Sequence, residues 1–215
     1  MRGPAAARGR PALSAPRRCA VLLAALALPS CREPPARAMR TIQGVNVEIR
    51  AVGLPRPTEP ALNAAFAAVT QLDGAAVDRA VAALRAAGAR KGLVNLGGDH
   101  LAVFGEPLVV AVPDPADVTQ PRWASFSLVD AAASRASARG PVLAVTVVAG
   151  SANDASALAA AALALPPDQA LGLLGRRGAA GFVLMREGSG RIIATTPGFA
   201  SARDLRPEEG VVVRP

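Results

Sequence analysis

The chain has 215 residues, 51% of them hydrophobic and 19% charged, which suits one domain with a substantial core and excludes a disordered chain. Nineteen prolines and twenty glycines without a period exclude collagen and argue for many short elements. The net charge of +8 falls to +3 without five arginines near the start (Arg2, Arg8, Arg10, Arg17, Arg18), and no basic stripe with interleaved aromatics remains. Nucleic acid is not an expected partner. Lys91 is the only lysine against 23 arginines, a compositional bias rather than a functional signal.

The first 30 residues read as a signal peptide. An arginine-bearing polar segment precedes the apolar run Ala20 to Leu28, which is too short to span a bilayer as a permanent helix. The run ends Leu28-Pro29-Ser30-Cys31, which resembles the bacterial lipobox. Cys31 is then the expected lipidation site and mature N-terminus, with residues 31–38 as a lipid-anchored tether. This implies the periplasmic side of a bacterial envelope, attached to a membrane. Arg17-Arg18 leaves the Sec and twin-arginine routes both open. Cys19 departs with the signal, so no disulfide is expected in the mature domain.

Along the domain, 39–215, Thr41 to Val52 alternates as a strand, and the proline-rich stretch Leu54 to Pro60 breaks regular structure. Val77, Ala80, Val81 and Leu84 keep helical spacing, with Gly88 as the stop. Leu93 to Leu96, Leu108 to Val112 and Leu143 to Val148 read as strands. Ser151 opens a helix, with Asp154 in capping-box spacing, and Pro166-Pro167 ends it. Asp168 to Leu174 is a second helix. Phe182 to Arg186 and Ile192 to Thr195 form a hairpin around Glu187-Gly188-Ser189-Gly190. Residues 201–215 read as a polar tail. Helices and strands do not alternate strictly, so the expected class is α+β, a mixed sheet with packed helices.

Candidates for chemistry are few. His100 is the only histidine, which excludes a metal site of several histidines and any Ser-His-Asp relay away from it. No P-loop or GxGxxG follows a strand. What remains is Asn95-Leu96-Gly97-Gly98-Asp99-His100 directly after a strand. Paired glycines let a backbone approach a ligand closely, and Asn95 and Asp99 offer hydrogen bonds there. The same turn also serves as a plain strand connector.

The order of segments resembles the ApbE family of periplasmic flavin transferases, which use Mg²⁺ to move FMN from FAD onto a threonine of a target protein. Met39-Arg40-Thr41 resembles the family's Met-Gly-Thr, and Gly74-Ala75-Ala76-Val77-Asp78 its Gly-Tyr-Ala-Val-Asp. Asn95 to Asp99 matches its Asn-Leu-Gly-Gly-Asp turn. Val110 to Pro115, Val145 to Val148 and Thr196-Pro197-Gly198-Phe199 fit later strands. The resemblance implies FAD as substrate, Mg²⁺ as cofactor and a flavin-acceptor protein as partner. It also implies flavin contacts at Met39, Asn95, Gly97, Gly98 and Asp99; no catalytic residue is assigned.

The departures from the family are specific. The chain is short between Val52 and Leu72, where the family builds one wall of its FAD pocket. It also lacks the histidine–aspartate–proline motif expected after Ser134. Aligned from Val145, the family's metal-binding aspartate falls on Ser156 and its threonine on Ala160, so no metal ligand is assigned. Asp73 stands where a lysine is expected. Asp154 lies about 200° around the helix from Ser156 and cannot substitute. These departures imply an impaired transferase; the alternative is a non-catalytic flavin- or partner-binding envelope lipoprotein.

Overall fold

The computed structural model describes residues 34–115, 119 and 122–215. The expected signal peptide and the lipidation site Cys31 lie outside the described residues.

Strands β1 (Ala36–Ile42) and β2 (Val45–Val52) form an antiparallel hairpin, with Ala36 opposite Ala51 and Ile42 opposite Val45. The expectation of one strand over Thr41 to Val52 is corrected. Gln43 (φ 49°) and Gly44 (φ 81°) both adopt the left-handed region, the requirement of a tight two-residue hairpin turn. β1 begins within the segment read as a tether.

The proline-rich stretch breaks regular structure from Leu54 to Thr58, as expected, and helix α1 (Glu59–Ala67) begins at its end. Pro60 sits in its first turn, where no helical hydrogen bond needs its N–H. The helix buries Leu62, Ala65 and Phe66. Helix α2 (Gly74–Ala86) buries Ala76, Val77, Ala80 and Leu84. Asp73 caps it by accepting from the Ala76 amide at 2.8 Å.

Six strands follow: β3 (Lys91–Leu96), β4 (His100–Phe104), β5 (Leu108–Val112), β6 (Ala124–Leu128), β7 (Ala131–Ser137) and β8 (Val142–Ala149). Then come α3 (Ala152–Leu163), α4 (Pro167–Arg176) and the hairpin of β9 (Ala180–Glu187) with β10 (Gly190–Thr195), all near their expected places. The polar tail is corrected. It folds into α5 (Phe199–Ala202), β11 (Arg206–Pro207) and β12 (Val211–Arg214). β12 pairs in parallel with β10, and Val211 and Val213 pack on the core, so their burial outweighs the polarity around them.

Nine strands make one sheet in the order β1-β2-β3-β4-β7-β8-β9-β10-β12, and β11-β6-β5 make a second. Helices α1 and α2 cover one face of the large sheet over Val47, Ile49, Val94 and Leu96, and α3 and α4 continue that layer over Val145, Val147 and Val183. The opposite face packs against the small sheet around Trp123, Phe126, Phe182 and Phe199. Three of these rings meet at centroid distances of 5.3 to 5.8 Å, within the range of favourable aromatic pairs. The class is α+β, as expected.

The N-termini of α2 and α3 abut. Asp78, from the second turn of α2, accepts from the Ala152 and Asn153 amides at 2.8 and 2.9 Å, satisfying two donors that α3 cannot pair internally. Asp78→Ala is expected to cost about 2 kcal/mol, the penalty of stranding such donors, read as a lower denaturation midpoint with unchanged slope.

Candidate functional site

Strand register assembles the site. β2 alternates, so Val47, Ile49 and Ala51 enter the helix-covered core while Asn46, Glu48 and Arg50 face the other way. Met39 lies opposite Glu48, and Glu48 opposite Asn95, so these three side chains form one cross-strand row. With Asn46, Gly98 and Asp99 they line an open cleft of about 480 Å³, within the size range of ligand pockets. Four residues that the resemblance selects, Asn95, Gly97, Gly98 and Asp99, therefore share a cleft with Met39 from a strand fifty residues away.

Gly97 and Gly98 turn β3 into β4 with φ of 60° and 84°, so this segment is a turn and not strand interior. A Cβ on Gly97 would also lie 2.8 Å from Val45 Cγ1. The amides of the turn are all paired. Gly98 N donates to Asn95 Oδ1 at 2.9 Å, Gly97 N to the Asn46 carbonyl at 2.9 Å and Asp99 N to the Leu96 carbonyl at 3.1 Å.

The cleft's acids are partnered. Glu48 Oε1 accepts from Arg37 and Arg50, each at 2.7 Å. Desolvation alone would raise its pKa, but the two guanidiniums outweigh it and hold the carboxyl below the usual glutamate value. Asp99 Oδ1 accepts from Arg135 Nη2 at 2.8 Å and Nε at 3.1 Å. Glu48 was legible from the alternation of β2. Arg135 carried no sequence signal, because it reaches the turn only through pairing of β7 with β4.

On the helix-covered face, His100 Nδ1 lies 3.0 Å from Ser134 Oγ, which donates to the Ala152 carbonyl at 3.2 Å. The hydroxyl has one proton, so with that donation the imidazole proton sits on Nδ1. Burial pushes the His100 pKa below its ordinary value, against the Asp99 and Asp73 carboxylates, which favour the cation. A histidine held more neutral when folded contributes stability fully present above its unfolded pKa of about 6.5 and lost as pH falls below it. The expected result is a proton NMR titration of this sole histidine with a midpoint below the unfolded value, and a denaturation midpoint that falls less on acidification in His100→Gln.

Asp73 is committed to capping α2. The helix α3 offers little to a divalent cation. Ser156 is half-buried, Ala160 is exposed, and Asp154 Oδ2 accepts from Ser151 Oγ at 2.7 Å. Among the described residues no group of three or more His, Cys, Asp and Glu side chains could hold a metal ion. Mg²⁺ requires near-octahedral oxygen ligands, usually with carboxylates among them, and this donor set does not fit it.

Residues 62–138 match the model of the ApbE family, a segment running from α1 through β7 and including the Asn95–Asp99 turn. Comparison with curated proteins gives no match. Among solved structures, the chain is similar to the apo form of Pseudomonas stutzeri flavinyl transferase ApbE at TM-score 0.50 and 24% identity, over 66% of this chain and 52% of that one. It is similar to the flavin transferase ApbE of Vibrio cholerae at TM-score 0.53 and 16% identity, over 60% and 50%. A histidine-to-glycine mutant form of the Vibrio cholerae protein gives TM-score 0.62 and 10% identity, over 78% and 99%. The chain spans about half the length of the first two. Its fold is that of the flavin transferases. The ApbE family model matches residues 62–138 of this chain.

Proposed function

We propose that this protein binds a flavin nucleotide in the Met39–Asn95–Asp99 cleft and is an impaired FAD:protein FMN transferase of the bacterial envelope. The observation that carries the reading is the register that brings Met39, Asn95 and the glycine turn to one cleft. In the transfer, a threonine hydroxyl of the acceptor attacks the FMN phosphorus of FAD and AMP leaves. Charge gathers on the phosphoryl oxygens, and stabilising it is the main task of such a site. Ser156 and Ala160 supply no anionic oxygen to hold a cation there, so binding outlasts catalysis.

The test incubates the full chain with FAD and a flavin-acceptor protein. Expected are saturable quenching of flavin fluorescence and only faint covalent labelling in the gel, both unchanged between added Mg²⁺ and EDTA. No saturable quenching would overturn flavin binding, and strong EDTA-sensitive labelling would overturn impairment. The missing carboxylate at Ser156 favours a second reading, a non-catalytic flavin- or partner-binding lipoprotein, which predicts binding with no label. Export is part of the proposal. Mass spectrometry of membrane-extracted protein should find Cys31 lipidated at the N-terminus, and intact residues 1–30 on soluble protein would refute it.

A further inference from the structure

A glycine-rich turn beside a nucleotide site commonly grips phosphate through its free amides. Here that route is closed, because the amides of Gly98 and Asp99 are spent within the turn and that of Gly97 on the Asn46 carbonyl of β2. The uncommitted donor beside the turn is Arg135 Nη1. Among the described residues it is the one buried side-chain nitrogen or oxygen without a hydrogen-bond partner. Native structures seldom leave such a group unpaired, since each costs about 1–3 kcal/mol.

The ion pair holding Arg135 is lopsided. Arg135 Nε and Nη2 both donate to the same oxygen, Asp99 Oδ1, and the arginine side chain is 15% exposed while the aspartate is 54% exposed. The cation is desolvated, and its counter-ion is mostly in water. Beside it lies a cavity of about 30 Å³, whose polar wall is Asp99, Arg135 and Thr146 beside Gly98 and whose remaining wall is apolar, with Val110 and Phe126 in it. That space accepts one or two oxygen atoms. Gly98 and Asp99 also line the larger cleft, so a ligand there has its oxygens within reach of this recess.

We propose that Arg135 is the phosphate-binding residue of the site, its Nη1 taking one phosphoryl oxygen of a flavin nucleotide while Asp99 yields Nη2 to a second. The proposal rests on the flavin-nucleotide reading above. A guanidinium presents parallel N–H groups that match two phosphate oxygens, and a phosphate carries more charge than the single exposed carboxylate it displaces. The other acid of the cleft, Glu48, does not oppose this strongly, since Arg37 and Arg50 already neutralise it. No bond is made or broken. The residue supplies a fixed positive charge to a site whose helix α3 lacks the family's metal carboxylate.

The experiment titrates the full chain with riboflavin, FMN and FAD by fluorescence and with ADP by calorimetry. FMN and FAD should bind at least about tenfold more tightly than riboflavin, the return expected from a charge-assisted hydrogen bond. Arg135→Gln should erase that difference while leaving riboflavin affinity unchanged. Arg135→Lys, which keeps the charge if the glutamine variant misfolds, should retain only part of it. Equal affinity for riboflavin and FMN in the unaltered protein overturns the assignment and leaves the flavin reading standing. A phosphate preference that survives in Arg135→Gln overturns it too. Arg135-dependent binding of ADP without binding of riboflavin sustains the residue's role and sinks the flavin reading. If none of the four binds, both fail.

Discussion

Gly74→Ala is expected to destabilise the protein by roughly 3 kcal/mol, at the upper end of what overpacking costs. A Cβ at this position would lie 2.1 Å from the Ala152 carbonyl oxygen, 2.5 Å from its carbon and 2.8 Å from the Asn153 nitrogen. All three atoms are backbone, so no side chain can rotate away. Relief requires α2 and α3 to separate, which also stretches the bonds from the Ala152 and Asn153 amides to Asp78. For a domain of this size the loss lowers Tm by about 6–12 °C. Calorimetry checks it, with Gly88→Ala as the contrast. Gly88 has a φ of 92° and no atom within 4 Å of its virtual Cβ, so that variant tests left-handed strain alone. A Tm for Gly74→Ala within two degrees of the unaltered protein, roughly the scale of a 1 kcal/mol change or less, would refute the close helix contact.

Gly74 also shows how much was legible in the sequence and why. The Gly-x-Ala-Val-Asp pattern announced a helix start, and the structure gives two of its residues work at one contact. The glycine admits α3, and the aspartate caps it. The Asn95–Asp99 turn was equally legible, because paired glycines at the end of an apolar run leave little besides a turn. The strands β6 and β7 were not. Ala124–Leu128 and Ala131–Ser137 consist largely of alanine and serine, whose weak preference for extended backbone is overridden by pairing with neighbours already in the sheets. The C-terminal strand β12 was missed for a related reason. Four residues cannot display a period, and Val211–Arg214 acquires its place only from the parallel partner Arg191–Ala194. Arg135 follows the same rule. Its meaning comes from facing Asp99 across two strands, a relation that no spacing along the chain encodes.

Ser156→Asp combined with Ala160→Thr is expected to raise covalent flavin labelling by about a hundredfold, the scale on which one well-placed stabiliser of transition-state charge acts. The two positions are four residues apart on α3 and therefore share a face, so together they present a carboxylate and a hydroxyl to one point in space. Both substitutions are tolerable in place. Ser156 is half-buried and Ala160 exposed, so added volume meets little resistance. Their poorer helix propensity costs about 1 kcal/mol in total, which a thermal melt would register without loss of fold. The gain should disappear in EDTA, whereas the faint labelling by the unaltered protein should not change. Ser156→Asp alone should give part of the effect, because it adds a formal negative charge, and Ala160→Thr alone should give almost none. If the double variant binds FAD but labels no faster than the unaltered protein, the helix register inferred from Val145 is wrong or the defect lies elsewhere. The place to look is then the segment from Val52 to Leu72, where the nine residues of α1 form the described helix. Equal FAD affinity with and without Asp99→Asn would add weight to that explanation, because a ligand held against the turn should feel the loss of its charge.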